Sequence, residues 1–343
     1  MKHRKSALAA AWTLRSSRAL ARKLAVLTGL SFVLALHSAW AQQYPSKPVA
    51  IVVPAAVGGP SDAVARVVGA ALAKELKGTV VIENQGGAGG TIGAARVAHS
   101  PADGYTLYLY HIAHATWPAL YRNLSFDVIK DFEPIGLIND VPMTIVGKKD
   151  LPAKDFKELL AWIKANGKQV TIGNAGVGSA SHLCGLLFAQ AIQTELTTVP
   201  YKGTAPAMND LLGGQIDLLC DQTTNTTSQI RAGKINVYAV TTMSRLPTMK
   251  DVPTLNELGL KNFNLSAWHG LWAPAGTPKP IVDQLSKALQ ASLQDSAVTQ
   301  RFADMGATPV AQADATPGAL QTQVKSEVER WGPIIKAAGQ YAD

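Results

Sequence analysis

Residues 49–62 read VAIVVPAAVGGPSD, and the fold turns on this stretch. The first six residues form an unbroken apolar, β-branched run of strand length, the pattern of a strand buried on both faces. A glycine-rich turn follows. Ser61 stands where a helix N-cap is expected, and Asp62 falls in the first turn, where a carboxylate is favoured. Ala, Val and Leu then recur at helical spacing to about Lys77. The alternation continues with a strand at 79–83 (TVVIE), a glycine-rich turn at 84–93 opening a second helix, and a strand at 105–110 (YTLYLY). A β-α-β-α-β start predicts a parallel sheet with right-handed crossovers.

A second alternating set follows. Strands are expected at 135–138 and 144–147, then a helix at 155–166 closed by Gly167 in the left-handed conformation. Further strands fall at 170–174, 196–200, 216–220 and 235–241, separated by helices ending near Gln190, Leu212 and Arg231. After Trp268 the chain reads as helices at 279–294, 296–305 and 316–338. These have no strands of their own, so they must bury their apolar faces on an earlier sheet. The expected architecture is α/β, with two lobes that each hold a central, mainly parallel sheet flanked by helices. The first lobe comprises 42–143 and 267–343, the second 144–266.

The N-terminus bears on compartment and charge together. Residues 1–23 carry seven basic and no acidic side chains, residues 24–36 are apolar, and Ala39-Trp40-Ala41 is a small-x-small site. The apolar run is too short for comfortable membrane spanning. Residues 1–41 therefore read as a secretory signal peptide, with the mature protein in the periplasm. The whole chain has 32 Lys+Arg against 24 Asp+Glu, but without the leader the balance is 25 to 24. The basic excess belongs to the leader, so nucleic acid is not an expected partner. Cys184 and Cys220 are too few for a disulfide scaffold or a four-cysteine zinc site. They read as two buried thiols, although an oxidising compartment would permit a bond.

Three glycine-rich turns, at 57–62 (VGGPSD), 86–93 (GGAGGTIG) and 176–181 (GVGSAS), stand where a strand hands over to a helix. Such turns point backbone N–H groups and a helix N-terminus at whatever lies beyond the strand ends, which makes an anion site. None has the Gly-Lys-Ser/Thr of a P-loop or the register of a dinucleotide fingerprint. Enzyme constellations are also missing. Ser179 and Ser181 lie near His182 without triad spacing, and no nucleophile elbow or zinc-helix motif occurs. His111 and His114 read as cleft-lining or hydrogen-bonded residues and not as metal ligands. His182 reads as a structural hydrogen-bonder. Asp221 sits at a strand end, placed to fix a loop or receive a ligand amine. No metal, cofactor or catalytic role is expected.

Taken in order, several stretches resemble the extracytoplasmic solute-binding receptors of tripartite tricarboxylate transporters, the Bug family. They include YPSKP at 44–48, VP at 53–54 before GGxxD at 58–62, PADGYTL at 101–107, GSxxHL at 178–183, VPYKG at 199–203, DLLGGQID at 210–217 and SAWxG at 266–270. The resemblance spans the mature chain. It implies a periplasmic-binding-protein fold, a cleft between two lobes that close by hinge motion, and a carboxylate ligand: a dicarboxylate, tricarboxylate, acidic amino acid or aromatic acid. It also implies delivery to membrane subunits of such a transporter by a monomer. By resemblance, the first lobe contributes Gly58, Gly59, Asp62, Ala88, Gly89, Gly90 and Thr91, with Val57 and His111 beside them. The second contributes Ser179, Ser181, His182, Tyr201, Lys202, Gly203 and Asp221. Five positions depart from the family pattern: Ala55 stands for an aromatic, Val57 for Pro and Trp117 for Asn, and His111 and His114 are also unusual. A smaller residue at 55 implies a roomier pocket, and Trp117 a surface on which an aromatic carboxylate could stack. A sensor docked on a membrane signalling protein, or a periplasmic hydrolase using Ser179 or Ser181, are the alternatives.

Overall fold

Val49, Ile51, Val52 and Val53 are wholly buried, and they form β1 (Val49–Val53) at the centre of a parallel trio. Strand β2 (Val80–Asn84) pairs on one side and β3 (Thr106–His111) on the other. Helices α1 (Pro60–Glu75) and α2 (Thr91–Ala98) form the crossovers, and α3 (Ala113–Leu120), absent from the sequence reading, follows β3. The computed structural model describes residues 44–339, 341 and 342; the leader expected at 1–41 lies outside them.

A 17-residue strand, β4 (Phe132–Lys148), replaces the two short strands read at 135–138 and 144–147. Its first part runs antiparallel to β9 (Ser266–Pro274), which itself pairs antiparallel with β3. From Met143 onward it pairs antiparallel with β7 (Leu218–Gln222) and β8 (Ile235–Val240). β4 is thus shared by two sheets. Pro142 cannot donate to a ladder. It lies where the strand leaves one set of partners for the other. Beyond β7 come two parallel strands, β5 (Thr171–Asn174) and β6 (Thr197–Pro200). A two-residue strand, β10 (Thr308–Pro309), adds to β4. The pairing is parallel in the βαβ cores and antiparallel around β4 and β9, so the whole is a mixed, two-lobed α/β fold.

The crossover helices of the second sheet are α4 (Phe156–Asn166), α5 (Ala180–Ala191), α6 (Thr204–Leu212) and α7 (Thr223–Arg231). The C-terminal helices α8 (Lys279–Gln294), α9 (Ser296–Asp304) and α10 (Pro317–Ala338) return as expected. Helix α8 packs on α1 and β4, and α10 packs on α3 and β4.

Three local readings change. Gly59, not Ser61, is the N-cap of α1, with Pro60 in the first turn; proline suits that place because the N–H it lacks would be unpaired anyway. Gly167 has φ 51° but ψ −124°, outside the left-handed helical well. Cys184 and Cys220, read as thiols, form a disulfide with Cα atoms 5.9 Å apart. The bond ties α5 to β7, two elements that meet only after folding. It closes a loop across a separation of 36 residues, so reduction should cost about 4 kcal/mol. We expect a clear fall in Tm on adding dithiothreitol, reproduced by Cys184→Ala; an unchanged melt would contradict it.

Candidate functional site: a cleft of helix N-termini

Five helices begin at one cavity of about 350 Å³. Their N-caps are Gly59 (α1), Gly90 (α2), Ser179 (α5), Gly203 (α6) and Gln222 (α7), and all five line it. Each helix end brings unpaired N–H groups and about half a positive charge. Four of these N-caps make no side-chain capping bond. The exception is Ser179, whose Oγ accepts from the His182 amide at 3.2 Å. Lys202 stands at the cavity, and no Asp or Glu does among the described residues. Positive potential and open donors therefore come together without a carboxylate to cancel them, which makes the cavity an anion trap.

The second glycine loop is held from behind. Trp117 Nε1 and the Tyr110 hydroxyl donate to the Gly89 carbonyl at 3.3 and 3.2 Å, and the Tyr121 hydroxyl donates to the Ala88 carbonyl at 2.8 Å. Trp117 is wholly buried and stacks on Tyr110 at 5.6 Å. It is a support for the loop, and the expectation that it stacks on ligand is corrected.

The loops of the two sheets touch across the cavity. A Cβ on Gly89, at φ +61°, would stand 2.5 Å from the Val177 carbonyl oxygen. One on Gly203, at φ +109°, would stand 2.8 Å from the Ala56 methyl. Both glycines let backbone approach where no side chain fits. Thr116 Oγ1 also reaches the Gly178 carbonyl at 3.4 Å. The cleft is closed.

Of the residues expected from sequence, Gly59, Ala88, Gly89, Gly90 and His111 line the cavity from the first sheet. Ser179, Ser181, Tyr201, Lys202 and Gly203 line it from the second. Six expected residues do not. Val57 and Gly58 are turned to solvent, and Thr91 bonds the Ala88 carbonyl. Asp62 is spent on its own loop: Oδ2 accepts from the Gly58 amide at 2.9 Å and Arg66 Nε at 3.0 Å. Burial pushes the Asp62 carboxyl up, but those bonds outweigh it and hold it below its usual range. His182 Nδ1 accepts from the Gly178 amide at 3.2 Å. Asp221 is fully buried beneath the wall and bonds Asn225 at 2.6 Å; burial raises its carboxyl to about 7.

Sequence reasoning missed Gln222 and Ser61. β7 ends two residues later than read, so Gln222, not Asp221, reaches the cavity. Ser61 lost its capping role and joins a buried chain: its Oγ lies 3.2 Å from His269 Nε2, and His269 Nδ1 lies 2.9 Å from Asn139 Oδ1. The connectivity is that of a nucleophile, base and orienting group. Burial, with His111 beside it, holds the His269 imidazole well below its usual range. The chain holds the Ser61 hydroxyl in place at the cavity wall. His114, read as cleft-lining or hydrogen-bonded, is in the core, 2.8 Å from the Val128 carbonyl.

Two α/β lobes around a closed, anion-attracting cleft define a ligand-capturing protein of the periplasmic-binding-protein class. The chain belongs to the tripartite tricarboxylate transporter family receptors, whose family model matches residues 64–340. It is 56% identical over 297 residues (87% of this chain, 86% of the relative) to a protein from the TAR-I ttuE-ttuC' intergenic region of Agrobacterium vitis. Among solved structures, the periplasmic binding protein BugD is 51% identical with a TM-score of 0.84, over 87% of this chain and 99% of BugD. MatC from Rhodopseudomonas palustris, with bound malate, is 38% identical with a TM-score of 0.82, over 85% and 100%. An R. palustris protein with adipate is 34% identical with a TM-score of 0.83, over 86% and 98%.

Proposed function

We propose that this protein captures a small carboxylate in the periplasm and delivers it to the membrane subunits of a tripartite tricarboxylate-type transporter. The convergence of five helix N-termini and Lys202 on a cavity without acidic lining carries the reading. Malate in one relative and adipate in another support a dicarboxylate over a bulkier acid, as does the burial of Trp117. The lobes are 42–143 with 267–343, and 144–266, closing about β4 and β9. The ligand contacts are the ten expected residues that line the cavity. The protein works as a monomer, after removal of its signal peptide, without a cofactor.

It is a receptor and not a hydrolase. His182 Nδ1 is committed to the Gly178 amide, and Ser181 Oγ accepts from the Ala175 amide at 2.8 Å. A thermal-shift screen of di-, tri- and aromatic carboxylates tests the reading. A ligand that binds only the folded state at 100 times Kd adds about 2.7 kcal/mol, so one carboxylate class should raise Tm by several degrees. No shift with any carboxylate would sink the reading.

A further inference from the structure

Helix α10 ends at Gly339, whose φ of 62° and ψ of 22° close it in the left-handed conformation. The chain then reaches the mouth of the cleft. Ala342 is partly buried and lines the cavity, whereas Tyr341 beside it is exposed. Two contacts fix them there. The Ala342 amide donates to the Leu120 carbonyl at 2.9 Å. Leu120 is the last residue of α3, so its carbonyl has no partner within the helix and is open to such a donor. The Arg122 guanidinium lies over the Tyr341 ring, 4.5 Å from its centre.

The segment that receives these contacts touches glycine turns of both sheets. A Cβ on Gly178 would stand 2.7 Å from Leu120 Cδ1, so Leu120 packs directly on the third glycine turn. The Tyr121 hydroxyl holds the Ala88 carbonyl of the second turn. The end of α10 crosses the same seam. Ile334, Ala337 and Ala338 line a separate cavity of about 650 Å³, whose other walls come from α5, β5, β6 and the loops beside them. Tyr341 and Ala342 are held by one main-chain hydrogen bond and one exposed ring–cation pair. Neither is strong, so this tie can open without unfolding α10.

Resting on the carboxylate reading for what passes through it, we propose that Tyr341 and Ala342 form a strap that gates the cleft. Pinned to 120–122, the strap keeps the two glycine turns together; released, it lets ligand in and out. Hydrogen exchange on the mature protein tests this without a ligand. Ala342→Pro removes the donated N–H, and Tyr341→Ala removes the ring. Each should speed exchange at least about threefold in peptides covering 86–90 and 176–180, with β1 unchanged. Lys336→Ala, exposed on the last turn of α10, should match wild type. Unchanged exchange at both turns in both variants overturns the proposal, and so does faster exchange that extends to β1, because that is general loosening. Stopped-flow binding of malate and of adipate adds the kinetics. A gate slows entry and exit together, so both rate constants should rise by about fivefold in each variant while Kd stays within about threefold. A rise in dissociation alone overturns the gate and makes Ala342 an ordinary ligand contact. If neither compound binds, hydrogen exchange decides the strap, and the thermal screen decides the carboxylate reading separately.

Discussion

Gly89→Ala should weaken ligand binding by roughly three orders of magnitude while leaving the fold intact. The added Cβ would stand 2.5 Å from the Val177 carbonyl oxygen and 2.7 Å from the Tyr121 hydroxyl. Backbone lies on one side of that clash, so the loops must part. Parting them withdraws Lys202 and the N-termini of α5, α6 and α7 from the ligand. Hydrogen bonds to a charged group contribute about 1.5–3 kcal/mol each, and losing two of them accounts for a thousandfold. The left-handed backbone at Gly89 adds a further cost of about 1–2 kcal/mol for any L side chain. Gly233→Ala isolates that cost, since Gly233 has φ +62° and open space where a Cβ would go. Calorimetry on both variants checks the claim. Equal affinities for Gly89→Ala and wild type would mean that the touching loops do not seal the site.

Asp221 should make the protein less stable as pH rises from about 4 to 7. Burial is the main cause of its raised carboxyl, at about 7 against an ordinary 3.8; the Asn225 and Gln222 hydrogen bonds only partly oppose it. Between those values the folded protein keeps a proton that the unfolded chain has released. Stability is therefore full below the unfolded value, falls through the window and levels off above the folded value. At about 1.4 kcal/mol per unit, the loss is roughly 4 kcal/mol. Asp221→Asn keeps an oxygen for Asn225 and removes the titration. Its melting temperature should exceed wild type at pH 8 and match it near pH 4. Parallel pH dependences for the two proteins would show that another group sets the slope.

Much of this was legible in the chain. The two-period alternation of 49–110 marked the parallel core because β-branched runs and helical spacing are local properties. The three glycine turns named half of the cavity wall, since a strand-to-helix turn orients its amides wherever it is placed. β4 was not legible. Asn139, Asp140 and Pro142 look like a loop until β9, β7 and β8 supply their partners. Trp117 and Asp62 were misplaced for a related reason: each has a side chain suited to ligand but a nearer use within the fold, one beneath Gly89 and the other on Gly58. A two-residue error at the end of β7 was enough to exchange Asp221 for Gln222.

Sequence by itself determined most of the strands and helices, the glycine-rich turns from which helices start, and that a receptor family's motifs run through the chain in order. Tertiary structure alone decided that five helix N-termini share one cavity, that Cys184 meets Cys220, and that Ser61 meets His269. The division is physical. Periodicity and capping act over a few residues, whereas a cleft is built from contacts between segments up to 200 residues apart, which exist only once the two sheets are joined through β4.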